Sequence, residues 1–346
     1  MKIVLVLFAL VVLQFAFCDN ATAQAGPGCI GLVGNGCQIN AYSIGPCPGW
    51  FNCYVEGPWL ILCQVMTPLC APVAAAAETR CGGQCATDST PVASNPISLA
   101  TGNTYIQEQD VSLPGISGGL KLVRTWNSMW PPSQSATQVG LFGPNWRSNY
   151  EERVFVGSDN YIKYARGDGS FWSFGVGGPG WTTAAPANAG ATLIEGPSYW
   201  TLTLKNGEQR LFDNVSGHLL TIIDRNGNQT QLTYDAVGRL TTVTDPVSRH
   251  LYFNYPNGSS LLVSSVTSDF GVTVSYSYDG QGRALQVTEP DLSTFNFQYN
   301  SNSLISAVVD SNAKIIESHT YDSLGRGLTS SRANGVEAVT ISYATQ

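Results

Sequence analysis

The chain has 346 residues, 43% of them hydrophobic and only 12% charged, with a net charge of −7. Eight Trp, 15 Tyr and 13 Phe can build a core, which excludes a disordered chain, whose composition is charged and poor in aromatics. Nucleic-acid binding needs a cationic stripe that displaces condensed counterions. Seventeen basic residues against 24 acidic ones, with no basic run after Lys2, exclude that class.

In chain order, the first element is an export signal over residues 1–25. Lys2 precedes an apolar run from Ile3 to Phe17, interrupted by Gln14. Ala21-Thr22-Ala23 and Ala23-Gln24-Ala25 then supply small-x-small cleavage sites. The run is shorter than the ~20 residues that span a bilayer, so no membrane span is expected after cleavage. Cys18 offers an alternative as a lipid anchor, but Phe17 stands where a bacterial lipobox carries a small residue.

Residues 26–86 form a cysteine-rich module. Cys29, Cys37, Cys47, Cys53, Cys63, Cys70, Cys81 and Cys85 lie in it, and no cysteine follows. An even number of closely spaced cysteines in an exported chain reads as a disulfide framework. Eight cysteines allow 105 pairings, and sequence does not choose among them. Zinc is the weaker reading: only Cys81 and Cys85 have a ligand-like gap, and His218, His250 and His319 lie far downstream. Trp50 and Trp59 are the bulky apolar anchors, and Trp59-Leu60-Ile61-Leu62 reads as a buried strand or short helix. So small a segment buries little surface, so cross-links must supply its stability. Residues 87–94 are a linker in which Ser, Thr, Pro and Asp cluster without periodicity.

Residues 95–200 alternate short apolar runs with turn signals. Thr101-Gly102-Asn103 is a turn and Leu120-Lys121-Leu122-Val123 a strand. Asp168-Gly169 lies between Tyr161–Tyr164 and Phe171–Phe174, and Asn206-Gly207 lies between Trp200–Leu204 and Gln209–Phe212. Both read as hairpins, because such dipeptides accept the positive φ of a tight turn.

Residues 201–346 are periodic. Tyr234-Asp235-Ala236-Val237-Gly238-Arg239 recurs as Tyr278-Asp279-Gly280-Gln281-Gly282-Arg283 and as Tyr321-Asp322-Ser323-Leu324-Gly325-Arg326. Weaker copies at Phe212, Tyr255, Tyr299 and Tyr343 fall midway, so aromatic anchors follow one another every 21 to 23 residues. Such a period signals a stacked array. Before the anchors, apolar residues alternate: Leu251, Phe253 and Tyr255; Val274, Tyr276 and Tyr278; Phe295, Phe297 and Tyr299; Val339, Ile341 and Tyr343. Period two places each set on one strand face. The Asp turns the chain by bonding nearby backbone and the Gly by taking positive φ. The expected fold is therefore mainly β, with tandem β-hairpin repeats in a spiralling or extended sheet behind the small disulfide-rich segment. The final strand, about Val336 to Tyr343, is expected to expose an unpaired edge that invites self-association or pairing with a chain carrying further repeats.

These residues resemble the Rhs/YD-repeat family. The namesake repeat is Tyr-Asp-x-x-Gly-Arg followed by Leu240-Thr241-Thr242-Val243-Thr244-Asp245-Pro246, and Asp224-Arg225-Asn226-Gly227-Asn228 resembles the turn that precedes it. Residues 95–110, 120–128 and 140–146 resemble the domain ahead of the repeats in bacterial Rhs proteins, with Trp126 where Tyr is usual. The resemblance runs from about Asn95 onward and leaves out the cysteine module. It implies part of a spiral shell of hairpins, of the kind that encloses a C-terminal toxin or serves cell-surface adhesion. The sequence holds no counterpart of the family's core segment, self-cleavage site or toxin, so no catalytic role carries over.

No other motif argues for an enzyme. Gly115-Ile116-Ser117-Gly118-Gly119 fits the nucleophile-elbow pattern but lacks a following helix. Arg166-Gly167-Asp168 spells an integrin tripeptide inside an inferred turn. Asp224, Asn226, Asn228 and Asp235 echo a calcium loop without its glycine position or final Glu. The three histidines have no partner motif of the kind a general base needs. No catalytic, cofactor or metal residue is assigned. The expected function is an exported, non-enzymatic structural and binding protein that contacts carbohydrate or protein at the cell surface. The alternative is the front part of a polymorphic toxin delivery protein, and a secreted hydrolase ranks below both.

Mass analysis of the exported protein should show residues 1–25 gone and all eight cysteines oxidised. Several free thiols, or bound zinc, would overturn the framework.

Overall fold

The structure is a computed structural model. It describes strand backbones at 32–33, 36–42, 48–55, 61–66 and 92–93, and residues 97–99, 101–129, 140–157, 161–177, 180–185, 188–332 and 335–343. The chain forms two units, Met1–Ala71 and Pro72–Gln346.

In the first unit Leu32–Val33, Gly36–Tyr42, Pro48–Val55 and Ile61–Met66 make an antiparallel sheet in chain order. Ile61 and Leu62, expected in a strand or short helix, open its last strand. The register sets Cys37 opposite Cys53, and Cys53 opposite Cys63. Cys29, Cys47, Cys70, Cys81, Cys85 and the export signal lie outside the described residues.

The second unit is dominated by one open antiparallel sheet of 19 strands, from Arg153–Val156 to Val336–Thr340. Each strand pairs with the next in sequence, and the sheet passes without a break through Tyr199–Thr203, where the repeat texture begins. Among the described residues the only helical element is a 3-10 turn, Ile116–Gly118. The two-residue alternation sorts side chains as expected. Leu251, Phe253, Val274, Tyr276 and Phe297 are buried. Ser, Thr, Asn and Gln face outward and bond across strands, as in Thr320 with Thr329 and Gln286 with Asn296. This ladder of neutral polar groups explains how so large a sheet carries so few charges.

A sheet with one apolar face must bury it. Here the cover comes from the preceding residues. Tyr105–Leu113, Leu120–Asn127 and Trp146–Ser148 form a three-stranded sheet. Its bulky side chains join one core with the large sheet. Tyr150 meets Phe253, Phe142 meets Tyr276, Trp146 meets Phe297 and Trp126 meets Tyr321, all edge to face. Val263 N–H donates to the Leu141 carbonyl (2.9 Å) and Gly327 N–H to that of Gly102 (2.8 Å). This inner sheet thus acts as a plug fastened to successive hairpins. The large sheet also meets itself: Val154 N–H, on its first strand, donates to the Gly217 carbonyl in a later turn (3.0 Å).

Many of the hairpin turns share one geometry. At Asp279–Arg283, Gly282 N–H donates to the Asp279 carbonyl and Asp279 N–H to the Arg283 carbonyl, each at 3.0 Å. This is a type I turn closed by a left-handed bulge residue. Gly282 takes that position at φ 75°. In sister turns Ser248, Leu292, Ser303 and Ala313 hold it at φ 58–68°, where a side chain costs about 1–2 kcal/mol. Leu292 is 79% exposed and so gains little from packing. Leu292→Gly should therefore stabilise the protein by about 1 kcal/mol in denaturant unfolding, whereas Gly282→Val should destabilise it. A neutral result for both would refute this account of the turns.

Candidate functional site

The repeat residues come together in a clamp. Asp279 accepts the backbone N–H of Gln281 and Arg283 on Oδ1, while Arg283 Nε donates to Oδ2 at 2.7 Å. Asp235 with Arg239 and Asp322 with Arg326 repeat that arrangement. The Arg239 backbone N–H, aided by its guanidinium, holds the Asp235 carboxyl below its ordinary range. Each guanidinium then lies over the next tyrosine: Arg239 over Tyr255 and Arg283 over Tyr299 at 4.5 Å, Arg326 over Tyr343 at 4.1 Å. The tyrosine hydroxyl donates to the carbonyl just past the arginine, at Leu240, Ala284 and Gly327. Tyr234, Tyr278 and Tyr321 reach back likewise to Leu219, Val263 and Ile305. Gly238, Gly282 and Gly325 supply the left-handed corner in their turns.

Two clamp members are not evident from the motif. His218 takes the arginine's place in the first hairpin repeat and stacks on Tyr234 at 4.8 Å. Burial and the nearby Arg153 push its pKa down. Asp245 and Arg249 form the same turn, and Arg249 Nη1 donates to the Pro114 carbonyl of the plug at 2.9 Å. The Asp-x-x-x-Arg spacing at 245–249 was the signal for it.

The plug interior holds a charge pair. Arg124 Nε and Nη2 donate to the two oxygens of Asp110, both side chains being 1% exposed. Tyr276 of the repeats donates to Asp110 Oδ2 at 2.6 Å. The guanidinium packs against Trp146, Tyr276 and Phe142. Burial pulls its pKa down, but Asp110 outweighs burial and holds it above the ordinary value. Around this pair, burial raises the carboxyls of Glu108 and Glu289 to about 7.

The other motifs of the sequence take these positions. Ser117 lies in a turn between two strands and donates to Asp224 Oδ2 at 2.6 Å. Asn228 and Ser117 hold Asp224 at about 2. The Arg166-Gly167-Asp168 turn closes on itself through an Arg166–Asp168 contact of 3.3 Å. His250 pairs with Asp269 at 2.7 Å on the surface. His319 is buried beside Glu317. Among the described residues no three His, Cys, Asp or Glu are grouped to hold a metal ion, and no helix is long and apolar enough to cross a membrane.

Clamped hairpins stacked in chain order around a plug define a repeat-array protein. Residues 94–174 match the family model described as "Domain of unknown function (DUF6531)", and residues 214–249 match the RHS Repeat. Both matches support the resemblance of this chain to Rhs/YD-repeat proteins. The tRNA(Glu)-specific nuclease WapA of Bacillus subtilis subsp. natto (strain BEST195) is 27% identical over 267 residues, covering 70% of this chain and 11% of its own. The tRNA nuclease WapA of Bacillus subtilis (strain 168) is 28% identical over the same extent. The chain thus spans about a tenth of the length of these curated relatives. Among solved structures, TcdB2-TccC3-Cdc42 aligns with TM-score 0.28 and 13% identity over 66% of this chain and 15% of its own. The Photorhabdus luminescens Tc holotoxin pore aligns with TM-score 0.25 and 13% identity over 67% and 10%.

Removing one partner of a buried pair strands the other charge, at a cost of about 3–5 kcal/mol. Asp110→Ala should destabilise the second unit by that amount in chemical denaturation. Asp110→Leu combined with Arg124→Met should recover most of it, and a mild effect of Asp110→Ala would refute the pair's role.

Proposed function

We propose that this chain builds part of the wall of an Rhs-type β-shell and acts as a structural carrier, not as a nuclease. The supporting observation is where the repeat chemistry goes. The motif residues Asp235, Arg239, Asp279, Arg283, Asp322 and Arg326 and the tyrosines Tyr255, Tyr299 and Tyr343 are engaged in one another through the clamp, as structural rather than reacting groups. On this reading the tRNA cleavage named in the relatives belongs to parts of those proteins that this chain does not match. We further propose export through residues 1–25 and a disulfide-stabilised module at 26–86.

The wall continues by strand addition. The outer edge of Val336–Thr340 pairs with no other strand among the described residues. An open edge pairs readily with another strand. Ile341 donates inward to Leu328, so strand alternation turns the Ala338 N–H outward. Incubation of the purified protein with bulk tRNA should leave the RNA intact. In light scattering the same protein should self-associate with rising concentration, and Ala338→Pro should keep it monomeric, because proline removes the outward donor. Cleaved tRNA, or a strictly monomeric wild type, would overturn the proposal.

A further inference from the structure

The plug meets the later hairpins across a seam that carries more carboxyls than cations. The plug contributes Glu108, Asp110 and Arg124. The hairpins contribute Tyr276, Glu289, Glu317, His319 and Arg332, with Asp291 in the same turn as Glu289. We propose that this seam is a pH-sensitive latch, in which Glu108 and Glu289 let the plug close on the hairpins while protonated and loosen it when both ionise.

The partners in the seam are unequal in number. Arg124 gives Nε and Nη2 to Asp110 and is enclosed by the rings of Phe142, Trp146 and Tyr276. The Tyr276 hydroxyl donates to the same carboxylate. Glu317 stands opposite Arg332 in the register of adjacent strands, and His319 Nε2 is 3.2 Å from Glu317 Oε1. Glu108 stands opposite Arg124 in the plug, but that guanidinium is already committed to Asp110. Four carboxyls thus share two guanidiniums, and Glu108 and Glu289 are the two in excess.

Their placement turns this excess into a force between parts. Glu108 lies on the plug strand Tyr105–Leu113. Glu289 opens the turn between Ala284–Thr288 and Thr294–Tyr299 of the large sheet. Both are half-buried, where salt screens charge less than at an open surface. Glu108 feels Asp110 and Glu317, and Glu289 feels Asp110, Glu108 and Asp291. Ionisation of the two therefore sets plug against hairpin, not residue against residue within either one.

The direction follows from the cause. Burial outweighs the pull of Arg124 and raises both carboxyls to about 7. A carboxyl raised on folding holds its proton more tightly in the closed state. Its contribution is complete below the ordinary value of 4.5 and is lost as pH climbs through about 7. His218 acts with the opposite sign, because its pKa falls on folding. The clamp carboxyls Asp235, Asp279 and Asp322 are held low, so they weaken only at more acid pH. The seam is firm in a mildly acidic medium and loosens above neutrality.

The test follows the purified protein between pH 5 and pH 8 by hydrogen exchange, with amide rates corrected for their intrinsic pH dependence. Protection of the plug strand Leu120–Asn127 should fall at least about tenfold over that range, the effect of one realised pKa unit. Glu108→Gln combined with Glu289→Gln imitates the protonated pair and should keep the protection seen at pH 5 throughout. Glu289→Gln alone, changed in a half-exposed turn, should lessen the fall. Wild-type protection that stays level or rises with pH would overturn the latch, as would a loss confined to the hairpins. An undiminished fall in the double variant would do the same, and the wild-type titration decides if that variant does not fold. None of these outcomes bears on tRNA cleavage or edge pairing, so the shell reading stands or falls separately.

Discussion

The structure depends on a phenol held under a guanidinium. Tyr299 is anchored twice to the hairpin turn before it, by its hydroxyl on the Ala284 carbonyl and by its ring beneath Arg283. Arg283 is itself held by Asp279, which orders the turn's backbone. One tyrosine therefore connects a strand to a turn some 15 residues earlier, and it does so again at Tyr255 and Tyr343. Backbone ladders alone fix strand next to strand. The clamp adds a side-chain tie from the end of each such strand to the turn at the head of its neighbour.

The apolar face of the large sheet has to be covered, and the plug covers it with the charge pair in its interior. Asp110 and Arg124 are costly to bury, yet they give the plug a single alignment. Asp110 accepts from Tyr276, and Arg124 touches three aromatic rings from both sheets. A plug held only by Leu and Val contacts could slide along the repeats, which present similar side chains every 21 to 23 residues. The pair matches one hairpin and not its neighbours.

The hairpins were legible in sequence because their signals are local. The Asp and Gly of a turn act within five residues, and alternation within a strand reports its buried face. The plug was not legible for the opposite reason. No local pattern marks Asp110 or Arg124 as buried, and only a sheet arriving from residues 253–321 makes them interior. Trp146–Ser148 is too short for periodicity to show. His218 breaks the repeat motif in letters but keeps its stacking. Leu292 and Ala313 hide their turns because neither residue type signals positive φ. Ser117 matches a catalytic pattern in letters, and in the fold its hydroxyl donates to Asp224.

The order of the parts along the chain has a consequence for biogenesis. The hairpins pair with immediate neighbours, so each can form as soon as it leaves the ribosome. The plug precedes them, and its partners come late: Trp126 packs against Tyr321, about two hundred residues downstream. Until then Trp126, Phe142 and Trp146 have no sheet to cover them, and transiently exposed apolar surface of this kind is prone to aggregation. Holding factors that shield aromatic segments during synthesis would therefore act on the front of this unit rather than on its repeats.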